Sequence, residues 1–292
     1  MRADLTGLQR GLLAWTVDAR RDLPWRETRD PWAVLVSELM LQQTQVNRVV
    51  PKYEAFLERF PTVANCAAAR VGDVITLWAG LGYNRRAVNL HRAACLVVRD
   101  HDGRFPDDLV GLMALPGVGP YTARAVLAFA YDRDVGVVDT NAARVLARTT
   151  GRTLRAAEAQ ALADDAVPPG QGWAWNQAML DLGATVCRAR MPACEVCPVR
   201  RGCAWFQANN AAPDPARGSA GTSTGQSSFV GSDRQGRGRL VACLRRDGLL
   251  DAADVAIAAG WPDDPERTAI AVGSLVRDGL IVEHDDGSLT LP

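Results

Sequence analysis

The chain of 292 residues is 48% hydrophobic and 23% charged, a balance that fits a globular protein with a sizeable core and leaves room for a large domain beside a small one. It has no run of about 18 apolar residues, which excludes a helical membrane span, and Asp4, Arg10, Asp18, Arg20 and Arg21 interrupt any apolar leader, so a cytoplasmic protein is expected. The net charge is zero, yet residues 1–207 carry +4 and residues 208–292 carry −4, an imbalance too small to name a partner. Lys52 is the only lysine among 33 basic residues.

From Leu5 to about Gln207 apolar residues recur at three and four positions, as in Leu8, Leu12, Leu13 and Trp15, then Trp32, Leu35, Val36, Leu39 and Met40. Pro24, Pro31, Pro61, Pro106 and Pro116 punctuate this run, and β-branched alternation is scarce, so the region reads as mainly α. Residues 208–228 are rich in Ala, Gly, Ser, Pro and Thr and read as a flexible linker. Beyond them, Arg237–Arg246, Ala252–Ala259 and Pro265–Asp278 read as short helices. Leu280–Glu283 and Ser288–Leu291 alternate around Asp285-Asp286-Gly287 as a hairpin. Helices followed by a β-wing make residues 229–292 a winged-helix-like α/β module.

Cys187, Cys194, Cys197 and Cys203 form the densest chemical signal. Soft ligands this close can converge on one metal centre, and their uneven spacing favours an iron–sulfur cluster while leaving zinc open. Arg188, Arg190, Arg200 and Arg201 surround them and would suit phosphate contacts, or would balance an anionic centre. Cys66, Cys95 and Cys243 are isolated in apolar stretches and read as core fillers.

Leu115-Pro116-Gly117-Val118-Gly119-Pro120-Tyr121 places a tight glycine turn at a helix start, where backbone N–H groups favour an anion. The same sequence would serve an ordinary helix–helix corner. Twenty residues past Gly119, Val137-Val138-Asp139-Thr140-Asn141 puts an acid at the mouth of the next helix, where it could cap, catalyse, or do both. Glu38, within Ser37-Glu38-Leu39-Met40-Leu41-Gln42-Gln43-Thr44-Gln45, sits among apolar neighbours, where desolvation would favour its protonated form.

Together with Leu23-Pro24-Trp25-Arg26, Leu77–Tyr83 and Trp175–Cys187, these stretches resemble the helix-hairpin-helix DNA glycosylases of the endonuclease III superfamily, and within it the MutY-type adenine glycosylases. The resemblance covers about residues 1–207. It implies a two-lobed helix-hairpin-helix glycosylase fold. One lobe is a six-helix barrel at about 25–135, and the other an iron–sulfur lobe built from the N-terminal helix and about 136–207, with the target base flipped between the two. It further implies a monomer acting on double-stranded DNA with an adenine opposite 8-oxoguanine or guanine, and a [4Fe–4S] cluster on the four cysteines.

Carried over residue by residue, the resemblance makes Glu38 the acid that protonates the leaving adenine and Asp139 the group that stabilises the oxocarbenium-like sugar. Tyr121 and Asn141 assist Asp139. Gln42, Gln43 and Tyr83 form the wedge entering the base stack, with Thr44 beside them, and Arg21, Leu23, Trp25, Arg26 and Gln177 form the adenine pocket. Gly117, Val118, Gly119 and Arg200 contact DNA phosphates. Asn84 departs from the pattern, because many relatives carry a second tyrosine there.

Two competing readings differ on particular residues. A glycosylase with lyase activity on damaged pyrimidines needs an amine nucleophile, and Tyr121 stands where such relatives carry a lysine. A non-enzymatic iron–sulfur DNA-binding regulator would leave Glu38 and Asp139 without a purpose. The resemblance also leads one to expect a β-rich Nudix-like reader of 8-oxoguanine at the C-terminus, and the short helical tail is too small for it. Docking onto the catalytic region or onto a partner is its expected role.

Overall fold

The computed structural model describes residues 6–220 and 228–292, which form two compact units. Among the described residues no helix is long and apolar enough to cross a membrane.

The first unit comprises the chain up to Val34, Asp107–Met113 and Val118–Gly225. It contains α1 (Thr6–Ala19), a 3-10 turn (Pro24–Arg26) and the start of α2 (Pro31–Leu41). Next come α7 (Leu109–Met113), α8 (Pro120–Ala130), α9 (Thr140–Thr150), α10 (Ala156–Ala166), α11 (Gly172–Asp181) and α12 (Ala204–Gln207). Leu8 and Leu12 of α1 share a core with Val145 and Leu146 of α9 and with Trp175 and Met179 of α11. Helix α9 is stopped at both ends: Asp139 accepts the Asn141 and Ala142 N–H groups, and Gly151 closes it in the left-handed region.

The second unit comprises Leu35–Pro106, Ala114–Gly117 and Gln226–Pro292. It holds the rest of α2, α3 (Val46–Arg59), α4 (Val63–Ala67), α5 (Val71–Leu77) and α6 (Arg85–His101). Helix α6 buries Ala87, Leu90, Ala94 and Val97, a three-and-four spacing that faces α4 and α5.

The C-terminal residues of this unit form α13 (Asp233–Asp247), β1 (Leu249–Leu250), α14 (Val255–Ala259), α15 (Pro265–Arg277), β2 (Val282–Glu283) and β3 (Leu289–Thr290). The sheet is antiparallel in the order β1-β3-β2, with Leu250 opposite Leu289 and Val282 opposite Thr290. The strands β2 and β3 flank the Asp285-Asp286-Gly287 turn at which the alternation predicts a hairpin, and α13, α14 and α15 overlap the three helices expected before it. The module joins α3–α6 in one compact body through the Gly72 N–H, which donates to the Pro292 carbonyl at 2.7 Å, and through an Arg85–Asp278 ion pair at 3.4 Å. The module thus packs against α3–α6 within the second unit.

Two expected boundaries shift. Of the lobe expected at about 25–135, residues 25–34 and helices α7 and α8 group with the first unit, and most of the rest with the second. Helix α8 packs on α11, and the Asp134 carboxylate accepts the N–H groups of Gly170 and Gly172.

The linker drawn at 208–228 starts too early. The Asp214 carboxylate accepts from Arg148 at 2.6 Å, Ala216 is buried, and the Ser219 hydroxyl accepts the Leu154 N–H at 3.0 Å. The small residues that give this stretch a linker's composition are also those that fit closely against a packed surface. Residues 221–227 of that linker lie outside the described residues. Of the isolated cysteines, Cys66 is buried, whereas Cys95 and Cys243 are only half-buried.

Candidate active site

Asp139 caps α9 and anchors a chain of hydrogen bonds. One carboxylate oxygen accepts the N–H groups of Asn141 and Ala142 at 2.8 and 2.7 Å, and the other accepts the Asn141 side-chain N–H at 2.8 Å. Asn141 Oδ1 in turn accepts from Arg144 Nη2 at 2.7 Å. Arg144 also donates to the Gly183 carbonyl at 2.6 Å and to the Cys187 carbonyl at 2.7 Å.

Burial pushes the Asp139 carboxyl above its ordinary value, while the Ala142 and Asn141 donors and the Arg144 charge pull against it. Gly183 is required for this arrangement, since a Cβ there would lie 2.5 Å from that of Asn141. Tyr121 occupies the second position of α8 in the same unit and is half-buried.

The residues expected in the adenine pocket gather around an acid that sequence reasoning missed. Arg26 grips Asp181 with both guanidinium ends, at 2.7 and 2.8 Å, and Arg21 adds a third ion-pair contact. Asp181 is fully buried. Burial alone would raise its carboxyl, but the two arginines outweigh that and hold it below the usual range. Both ends of the Arg26 guanidinium, and Nε of Arg21, are thus engaged by Asp181. Leu23 and Trp25 are buried on the same turn, and Gln177 is buried one helical turn before Asp181 on α11. Asp181 lay within the Trp175–Cys187 stretch as the single acid of an otherwise apolar helix face, and that was the available signal.

In the second unit Glu38 is 5% exposed on α2, within the buried run Trp32–Met40. The chain then turns through Gln43, whose φ is 55°, and the neighbouring loop turns through Tyr83, whose φ is 46°. A left-handed conformation at a residue with a Cβ costs about 1 kcal/mol, and both residues were expected at the wedge.

Arg86 holds the two loops together. Nη1 donates to the Leu39 and Gln42 carbonyls at 2.7 and 2.6 Å, and Nη2 to those of Leu81 and Gly82 at 3.1 and 3.0 Å. Thr44 completes the junction, its hydroxyl accepting from Arg86 at 3.2 Å and donating to the Leu81 carbonyl at 3.3 Å. Burial pushes the Arg86 guanidinium down to about 10, so it remains charged near neutrality.

At the hairpin, Gly117 is fixed by two constraints: its φ is 80°, and a Cβ would lie 2.8 Å from that of Asn89. Gly119 caps α8 with Pro120 at the first helical position. Both glycines are exposed, and Val118 turns its side chain inward.

Cys187, Cys194, Cys197 and Cys203 all line one cavity and are free thiols. Among the described residues no group of three or more His, Cys, Asp or Glu side chains is placed to hold a metal ion. Arg148 clasps the loop, donating to the Arg188 carbonyl at 2.8 Å while paired with Asp214. Arg200 forms an ion pair with Glu195 at 3.4 Å.

A family model described as the HhH-GPD superfamily base excision DNA repair protein matches residues 36–169. The adenine DNA glycosylase of Mycobacterium tuberculosis (strain CDC 1551 / Oshkosh) is 42% identical over 291 residues, covering 96% of this chain and 92% of its own. That of Mycolicibacterium smegmatis is 41% identical over 288 residues, covering 96% and 94%. The Homo sapiens adenine DNA glycosylase is 40% identical over 216 residues, which are 69% of this chain and 40% of the human one.

Among solved structures, a thermostable thymine-DNA glycosylase superposes with a TM-score of 0.65 at 28% identity, over 70% of this chain and 97% of its own. A trapped endonuclease III–DNA covalent intermediate superposes at 0.63 and 22% identity, over 72% and 99%, which speaks for the fold alone. The chain belongs to the HhH-GPD superfamily of base excision DNA repair proteins and, within it, to the adenine DNA glycosylases.

Proposed function

We propose that the substrate of this adenine-removing base excision repair enzyme is double-stranded DNA with an adenine opposite 8-oxoguanine or guanine, and that it works as a monomer in the cytoplasm. The reaction hydrolyses the N-glycosyl bond and leaves an abasic site. The observation that carries this reading is the hydrogen-bonded Asp139–Asn141 pair at the mouth of α9, in a chain that also buries Glu38. Glu38 delivers its proton to the departing adenine. Asp139, held by backbone and side-chain N–H groups, balances the positive charge that develops on the sugar.

Tyr121 and Asn141 orient Asp139 and the sugar, and Gln177, Leu23 and Trp25 shape the adenine pocket. Gln42, Gln43, Thr44 and Tyr83 open the stack. The exposed backbone at Gly117, Val118 and Gly119 receives a phosphate, as does Arg200 on the cysteine loop.

The cysteine loop fits a [4Fe–4S] cluster, because four free thiols line one cavity and a set of four thiolates is the donor set such a cluster takes. Cys187, Cys194, Cys197 and Cys203 would hold it, and when bound it supplies a covalent cross-brace to a loop with little regular structure. Iron and sulfide analysis tests this part, and stoichiometric zinc without iron would refute it. The function is tested by incubating the purified protein with duplexes carrying A:8-oxoguanine, A:G and A:T pairs. Release of free adenine from the first two is expected; release of a damaged pyrimidine instead would refute the assignment.

A further inference from the structure

Residues 133–138 lead from α8 into Asp139 and form neither helix nor sheet, so their backbone groups must find partners elsewhere. Gly136 turns to α10, where its N–H donates to Asp164 Oδ1 at 2.8 Å and its carbonyl accepts from Gln160 Nε2 at 2.9 Å. Its neighbours turn to α11. Asn176 Nδ2 donates to the Val135 carbonyl at 2.8 Å, and Asn176 Oδ1 accepts the Val137 N–H at 2.8 Å. That alternation is the one a strand shows inside a sheet, with side chains of two helices standing where neighbouring strands would be.

The fit on both sides is close. A Cβ on Gly136 would lie 2.6 Å from the Ala163 backbone, and one on Gly172, at the start of α11, would collide with the Arg133 carbonyl. Asn176 is 2% exposed, and its amide also donates to the Gly172 carbonyl at 2.7 Å, which locks its orientation. Losing this side chain would leave the buried Val137 N–H without its acceptor.

Helix α11 carries more than this clasp. Gln177 is the next residue, and Asp181 further along holds Arg21 and Arg26 of the turn that bears Leu23 and Trp25. One helix thus fixes the backbone that ends at Asp139 and the residues assigned to the adenine pocket. The N-glycosyl bond joins a sugar to a base, so the two groups of residues that meet those partners need one common reference.

Building on the function proposed above, we propose that Asn176 is a positioning residue for Asp139. By holding Val135 and Val137 it sets where the Asp139 carboxylate stands relative to the base pocket on its own helix, and hence how well the carboxylate meets positive charge on the sugar. A displacement of about 1 Å at a reacting group can cost about 10²-fold in rate, so a clasp remote from the chemistry still governs it.

The test separates charge stabilisation from folding. Affinities of the full chain are measured for three duplexes in which the target nucleotide is a non-cleavable 2′-fluoro-adenosine, a pyrrolidine with a cationic ring nitrogen, or a neutral tetrahydrofuran. A carboxylate placed for developing charge favours the cationic ring, and wild type should bind it roughly tenfold or more tightly than the neutral one. In Asn176→Ala that preference should fall below about threefold, while affinity for the 2′-fluoro-adenosine duplex stays within about threefold of wild type. A side chain that serves folding alone would lower all three affinities by one factor and leave the preference untouched.

Denaturant unfolding shows whether the variant is folded. If Asn176→Ala does not fold, Asp164→Ala decides: the Asp164 side chain is 38% exposed, so water can replace it, and the preference should drop by about threefold. An unchanged preference in the folded variant, or an equal loss on all three duplexes, overturns the proposal alone. A wild type that does not prefer the cationic ring would refute the charge-stabilising role of Asp139, and the proposal with it.

Discussion

Arg144 Nη2 lies 2.7 Å from Asn141 Oδ1, and through this contact the arginine decides which end of the Asn141 amide faces Asp139. The same guanidinium holds the carbonyls of Gly183 and Cys187, so the position of the cysteine loop is coupled through Arg144 and Asn141 to Asp139. Removing a hydrogen bond to a charged group costs about 1.5–3 kcal/mol. Arg144→Gln should therefore slow single-turnover adenine release by roughly tenfold to a hundredfold. The donors that oppose the upward shift of Asp139 are also weakened, which moves the acid limb of the pH–rate profile to higher pH. A profile that merely drops in height, with its limb unmoved, would mean that Arg144 acts only on folding.

Glu38→Gln and Asp139→Asn should each lower base removal by about 10²–10⁴-fold, the usual contribution of a positioned acid or base. Both should leave the fold intact, since asparagine caps a helix as well as aspartate does. Because burial raises the Asp139 carboxyl, the wild-type rate should fall on acidification at a pH above the ordinary aspartate range of about 3.9. Single-turnover rates across pH check this, and an acid limb at or below the ordinary value would contradict it.

Asp181→Asn should destabilise the protein by about 3–5 kcal/mol, because it strips the partner from a buried guanidinium and a half-buried one. The wild-type carboxyl is held below its ordinary value. Its contribution is therefore complete above the unfolded-state value and is lost as the pH falls through the lower folded one. Denaturant melts at neutral and acid pH should show the wild type and the variant converging on acidification. A constant gap between them would place the effect elsewhere.

A lyase step needs an amine, and Lys52 on α3 is the only lysine. Borohydride trapping on A:8-oxoguanine DNA should give little covalent product. Strong trapping that disappears in Lys52→Arg would make Lys52 the nucleophile and reverse this assignment.

The local settings of Glu38, Asp139 and the cysteines were legible in the sequence, because each depends on near neighbours: a buried helix face, a helix start, a short loop. The residues it missed act over long separations. Asp181 is bound by Arg21 and Arg26 from the far end of the chain, and Arg86 serves carbonyls more than 40 residues away on α2. Nothing in the local pattern distinguishes Arg86 from the exposed Arg85 beside it. The linker erred for a related reason, since composition reports which residues are small and not what they pack against.

Arg86 also bears on how DNA is met. A loop that orders only on contact with its ligand charges that ordering against affinity, at about 0.5–1.5 kcal/mol for each immobilised side chain. Here the loops bearing Gln43 and Tyr83 hang from one cation, with left-handed backbone already in place before any DNA arrives. Acting as the wedge proposed for them, they would meet the duplex as one rigid body, and insertion into the base stack would be a single event. The entropy of arranging them was settled when the chain folded.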